Sequence, residues 1–173
     1  MPTRTSQEPN RIVFLDIDGV LNSEPWFRRQ GLVGSATTTG GLDHLDGDAV
    51  ALVEEFCVET SATIVVSSSW RLTHDLASLR GMLFEKGLRT THVLDVTPFI
   101  PHHRGRGEDI QRWLDAAALE DNLVIEGLVI FDDRDDMLHL APWLVLTTFE
   151  EGLTRAHLGR AREVLAASPP RTP

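Results

Sequence analysis

The chain predicts an α/β fold, a three-layer α/β/α arrangement around a mainly parallel five-stranded sheet. Short apolar runs alternate along it with segments of helical periodicity, which is the pattern of strands joined by helical crossovers. Three of the runs, Ile12-Val13-Phe14-Leu15, Ala62-Thr63-Ile64-Val65-Val66 and Leu128-Val129-Ile130-Phe131, are almost continuously apolar, as strands covered on both faces must be. Each then stops abruptly in polar residues, so the polar side chains collect at one edge of the sheet.

In chain order, strands are expected near 11-16, 62-67, 91-96, 127-132 and 144-148. Helices are expected near 47-59, 73-86, 107-119 and 154-166, with a further short one at 135-141. Asp46 or Asp48 caps the first helix, because a short carboxylate accepts hydrogen bonds from the unpaired amides of the opening turn. Thr73 caps the second, and Gly87 ends it after Glu85-Lys86. Leu72, Leu76, Leu79 and Leu83 recur at helical spacing and read as its core face. Right-handed crossovers place helices on both faces of the sheet. The domain is expected to span 11-166, with 1-10 and 168-173 as loose polar and proline-containing tails.

A chain of 173 residues is long enough to bury a real core as one domain. Its single cysteine, Cys57, lies in an apolar helical segment, reads as a small buried hydrophobe and cannot form an intrachain disulfide. No apolar segment precedes Arg11, and none approaches the roughly 18 residues that span a bilayer, so a cytoplasmic protein without membrane contact is expected. A net charge of -10 argues against a protein that coats nucleic acid, whose affinity comes from cations neutralising phosphates. It leaves room for an enzyme that grips one terminal phosphate.

The chemistry starts at Asp16-Ile17-Asp18-Gly19. Two carboxylates two residues apart leave the end of a buried strand pointing the same way, and Gly19 permits the sharp turn that follows. The pair suits phosphoryl transfer: one aspartate attacks phosphorus, its neighbour handles the leaving-group proton, and a divalent cation screens both. Alone, the same pair also serves metal binding in glycosyltransferases and nucleases, or simple turn formation. The order of later segments narrows the choice. The second apolar run ends in Ser67-Ser68-Ser69-Trp70-Arg71, Arg106 opens a later helix, and the last run ends in Asp132-Asp133 with Asp135 and Asp136 just beyond.

In this order of four motifs the chain resembles the haloacid-dehalogenase-like (HAD) superfamily of aspartate-nucleophile hydrolases, over roughly residues 11 to 166. The Ser67-to-Arg71 stretch, Thr97-Pro98, Arg106-Gly107-Glu108-Asp109-Ile110 with Trp113-Leu114, and Gly152-Leu153-Thr154 resemble the small HAD domains associated with nucleic-acid repair polypeptides. The resemblance implies a Rossmann-like fold with Asp16 as nucleophile, Asp18 as general acid/base, Ser67 as hydroxyl donor to the phosphoryl group and Arg106 as basic residue. Gly19, Ser68 and Arg71 are the neighbouring phosphate-binding candidates. Lys86, the only lysine, falls at a helix end on the opposite edge and cannot be the phosphate-binding lysine usual in the superfamily. Arg104 competes with Arg106 for that role. A Mg2+ site is implied at Asp16, the Asp18 carbonyl, Asp132 and Asp133, with one of Asp135 or Asp136 in support. Dehalogenases of the superfamily lack the second aspartate, so Asp18 favours phosphate chemistry.

The roughly two dozen residues of 22-45 suffice for a flap but not for a folded lid, and 97-105 form only a short loop, so no cap domain is expected. An open crevice admits a phosphate on a polymer end. Arg28, Arg29, Arg71, Arg104, Arg106 and Arg134 fall in segments around it. Trp26 and Trp70 flank the motifs and could stack on a base, although core burial is the simpler reading, while His102 and His103 read as exposed loop. The expected substrate is a terminal phosphate of DNA, RNA or a nucleotide. The alternatives are a small-metabolite or phosphoprotein phosphatase and a non-catalytic binding module. A kinase or ligase is the expected partner, and the chain is expected to be a monomer or weak homodimer.

Overall fold

The computed structural model describes residues 10–32, 41–102, 104–120 and 123–167. Its strands β1 (Arg11–Leu15), β2 (Ala62–Val66), β3 (Val93–Val96), β4 (Gly127–Asp132) and β5 (Leu144–Leu146) pair in the order β3-β2-β1-β4-β5. Every pairing is parallel. The helices are α1 (Glu24–Arg29), α2 (Gly47–Thr60), α3 (Leu76–Lys86), α4 (Arg106–Glu120) and α5 (Arg155–Ala166).

Strand alternation divides the core into two layers. Val13, Leu15, Ile64, Val66, Val129 and Phe131 face α2, α3 and α5, with Val53, Phe56, Leu79, Leu83 and Leu158 among the buried partners. Ile12, Phe14, Val65, Leu128 and Ile130 face α4 through Ile110, Trp113, Leu114 and Ala117. The chain moves outward from β1 to β2 to β3 with its connecting helices on one face. It then crosses back to β4 on the other side of β1, and handedness puts α4 on the opposite face. The reversal of direction beside β1 opens a crevice at the carboxyl ends of β1 and β4.

Several boundaries differ from the sequence reading. The second helix begins at Leu76, capped by Asp75 accepting from Ser78 N at 2.8 Å, and Thr73 is not its cap. A separate 3-10 turn (Ser69–Leu72) precedes it, which leaves Leu72 57% exposed and off the core face, while Leu79 and Leu83 are buried. The short helix expected at 135-141 is a 3-10 helix at Leu138–Trp143, where Pro142 prevents a regular α-helical ladder. Asp46, not Asp48, caps α2. Helix α1 was not anticipated, although Ser23 followed by Pro25 is a legible start signal. Between β1 and α2 the described residues otherwise hold only a 3-10 turn (Leu42–His44), and they form no cap domain. Residues 1-9, 33-40, His103, 121-122 and 168-173 lie outside the described residues.

Candidate active site

The parallel register brings the predicted strand ends level. Leu15 pairs with Val66 and with Phe131, and the ladder runs one step further through Asp16 N to the Phe131 carbonyl (2.9 Å) and Ser67 N to the Leu15 carbonyl (2.8 Å). Asp16, Ser67 and Asp132 have the parity of Phe14, Val65 and Ile130, so they project toward the α4 layer. There α4 begins with Arg106.

Arg106 is buried and its guanidinium is shared. Nη2 lies 3.2 Å from Asp16 Oδ2, Nη1 donates to the Ser67 carbonyl, and Nε lies 3.4 Å from Asp132 Oδ2. Gly107 makes this reach possible: a Cβ there would stand 2.2 Å from the Met137 carbonyl oxygen, so only glycine lets the start of α4 press onto the loop after β4. Arg104 is exposed and is not brought to Asp16.

Asp18 is exposed at the crevice, yet both its oxygens are held. Trp70 Nε1 donates to Oδ2 at 3.0 Å and Asn22 Nδ2 donates to Oδ1 at 2.9 Å. Asn22 Oδ1 in turn accepts from Gly19 N at 3.0 Å. Gly19 has φ +74, and a Cβ on it would fall 2.4 Å from Asp133 Oδ2, so both its conformation and its position demand glycine. Thr147 Oγ1 donates to the Gly19 carbonyl at 2.8 Å and steadies the same turn from the end of β5.

Asp16, Asp132 and Asp133 each offer a carboxylate oxygen within 4.8 Å of the others. Burial, followed in each case by the crowding of neighbouring carboxylates, pushes Asp132 and Asp133 above the ordinary aspartate range. Burial also raises Asp16 against the pull of Arg106 and of a hydrogen bond from Ser68. Asp132 Oδ2 is buried with no hydrogen-bond partner. An all-oxygen donor set with an unsatisfied buried carboxylate oxygen fits a small hard cation such as Mg2+. Asp135 and Asp136 do not join the cluster: Asp135 is exposed, and Asp136 is ion-paired with Arg134.

Ser67 and Ser68 make different contacts. The Ser68 hydroxyl reaches Asp16 and also accepts from Trp70 N at 3.4 Å. Ser67 holds Arg106 through its carbonyl, while its own hydroxyl meets that of Thr97 at 3.5 Å. The Arg71 side chain is 6% exposed, donating to Asp109 Oδ2 at 2.6 Å and to the Ser68 carbonyl at 2.5 Å. Burial and then the Arg106 cation lower it from the usual guanidinium value while Asp109 and Asp16 support its charge, which puts it within electrostatic reach of Asp16. Trp26 is buried and packs edge-on against Phe27, with ring centroids 4.9 Å apart. Asn22 and Thr147 are the site residues that sequence reasoning missed. A lone amide in a turn and a threonine after a short edge strand carry no motif.

A parallel α/β sheet without a cap, whose central strand delivers an aspartate pair to a buried arginine and a second pair of aspartates, is a HAD-like domain. Residues 12–158 match the family described as the HAD domain in Swiss Army Knife RNA repair proteins, and the chain belongs to that family. No curated protein and no solved structure matches the chain.

Proposed function

We propose that this domain is a Mg2+-dependent phosphomonoesterase that removes a terminal phosphate from a polynucleotide or nucleotide through an aspartyl-phosphate intermediate. The observation that carries the reading is the buried Arg106 set between Asp16 and Asp132, beside an Asp18 held open to the crevice. In the first step Asp16 forms a bond to phosphorus. The bond to the leaving oxygen breaks, that oxygen keeps the electron pair, and Asp18 gives it a proton to release the alcohol. In the second step Asp18 takes a proton from water as the water oxygen bonds to phosphorus, and inorganic phosphate leaves with Asp16 restored. Arg106 and the Ser68 hydroxyl, both neighbours of Asp16, would offset charge on the phosphoryl oxygens. A Mg2+ ion held by Asp16, Asp132, Asp133 and the Asp18 carbonyl would screen the carboxylates from each other and from the substrate.

The open edge and the family's description favour an RNA or DNA end over a small metabolite. The test is a screen of 3'- and 5'-phosphorylated oligonucleotides against phosphorylated metabolites and phosphopeptides, with wild type, Asp16→Asn and Asp18→Asn. Oligonucleotide ends should give the highest kcat/KM, Asp16→Asn should be inactive, and Asp18→Asn should be slower by about 10²- to 10⁴-fold. Chelation should abolish turnover. Near wild-type activity of a folded Asp16→Asn would sink the mechanism, and faster turnover of a metabolite would move the substrate class.

A further inference from the structure

Asp18 presents a problem that its neighbours solve. Exposed aspartates sample several rotamers, whereas an acid that must meet a leaving oxygen has to point one way. Here one donor from each side of the crevice holds it: Trp70 in the 3-10 turn after β2, and Asn22 in the turn after β1. Indole Nε1 can only donate. The orientation of the Asn22 amide follows from its other neighbours, because the Gly19 N–H can only donate to it and the His44 carbonyl, 3.1 Å away, can only accept from it. The NH2 end therefore faces Asp18. Both partners are themselves buried, Trp70 and Asn22 being 4% and 1% exposed.

We propose that Trp70 and Asn22 are positioning residues for proton transfer by Asp18, each occupying one oxygen from the protein side and leaving a free lone pair on each oxygen toward the crevice. This rests on the phosphatase reading above. Both residues act through Asp18, so their effect on kcat/KM, which reports formation of the phosphoenzyme, should appear only when the leaving oxygen needs a proton. An alkyl monoester needs one as its phosphorus-oxygen bond breaks, while 2,4-dinitrophenyl phosphate loses 2,4-dinitrophenolate, a stable anion that leaves without a proton. Loss of general acid alignment is therefore read as a dependence on leaving group, which a general loosening of the site would not produce.

The experiment compares kcat/KM of wild type and Trp70→Phe on an alkyl phosphate and on 2,4-dinitrophenyl phosphate, with folding checked by circular dichroism. The loss on the alkyl ester should exceed that on the dinitrophenyl ester by about tenfold or more. Asn22→Asp keeps the acceptor for Gly19 N–H and removes the donor to Asp18, and should show the same graded loss if Trp70→Phe does not fold. A readout independent of turnover is the Trp70 indole N–H resonance, which should move in Asp18→Asn. Equal losses on the two esters with an active wild type, or an indole resonance that does not move, would overturn the inference alone. Absence of Asp16-dependent hydrolysis of both esters by wild type would instead overturn the phosphatase reading and this inference with it.

Discussion

In the proposed mechanism Arg106 offsets charge in a site where burial opposes ionisation, and its three contacts would suit an arginine to a role that a lysine usually fills. A planar fork can meet Asp16, the Ser67 carbonyl and the flank of Asp132 at once, which a single ammonium on a flexible stem does less well. Arg106→Ala should therefore lower kcat/KM on a minimal aryl phosphate by about 10²-fold or more, in line with loss of one preorganised charge-stabilising group. Arg104→Ala, at an exposed position, should have little effect on that substrate, and a loss equal to or larger than that of Arg106→Ala would reverse the assignment. The carboxylate cluster gives a second prediction that needs no turnover. Mg2+ at about 100 times its Kd should stabilise wild type by about 2.7 kcal/mol, a Tm rise of roughly 5–10 °C. Asp132→Asn should abolish most of that rise in a thermal melt, and an undiminished rise would place the cation elsewhere. Asp16 and Asp132 were legible in the sequence because each ends an apolar strand. Choosing between Arg104 and Arg106 was not, because the choice depends on how closely Gly107 lets α4 approach Met137.

At the scale of elements, the sequence showed strands better than helix starts. Continuous apolar runs mark β1, β2 and β4 whatever surrounds them, whereas the start of α3 depends on whether Thr73 or Asp75 wins the cap. Asp75 accepts from Ser78 N, and the turn before it is already committed to carrying Trp70 and Arg71 into the crevice. The link from α3 to β3 shows a device with no sequence signature. Glu54 on α2 accepts from the backbone amides of Arg89, Thr90 and Thr91 at 3.1, 2.6 and 3.1 Å, and from the Thr90 hydroxyl. Burial works to raise its carboxyl, but those hydrogen bonds outweigh it and hold the group below its ordinary value of 4.5. A carboxylate lowered in the folded state contributes stability above its unfolded value, lost as pH falls through the folded one. Glu54→Ala should thus cost about 0.5–1.5 kcal/mol near neutral pH, the net worth of hydrogen bonds whose amides are exposed or half-buried and can turn to water. The gap from wild type should narrow as pH drops below 4.5 in urea unfolding. A gap that stayed constant down to acid pH would show that packing, not the ionised clamp, accounts for the loss.

The whole molecule carries a net charge of -10, and the arrangement of its cations sharpens what that means for a polyanionic substrate. Arg28 pairs with Glu24, Arg29 with Asp46, Arg134 with Asp136, Arg155 with Glu55, Arg160 with Glu163 and Arg162 with Glu59, so much of the basic surface is answered locally by acid. Arg71 is likewise spent on Asp109 inside the protein. These pairs weaken the positive field at the arginines concerned, so the local arginine bias read from the sequence overstates the field a nucleic acid would meet. The surface therefore separates two ways of recognising an oligonucleotide: by its end, through the crevice, or by its backbone, through a basic track. A backbone-tracking protein that neutralises 6–10 phosphates shows a steep log-log dependence on salt, with a slope near -0.7 per phosphate for single strands. On the proposed polynucleotide substrate this domain should show a shallow slope of kcat/KM, between about 0 and -2, and little gain beyond the first few nucleotides. The measurement is kcat/KM on end-phosphorylated oligonucleotides of increasing length at constant Mg2+ and rising monovalent salt. A slope steeper than about -4, growing with length, would mean that backbone neutralisation governs binding and that the acidic surface does not face the strand.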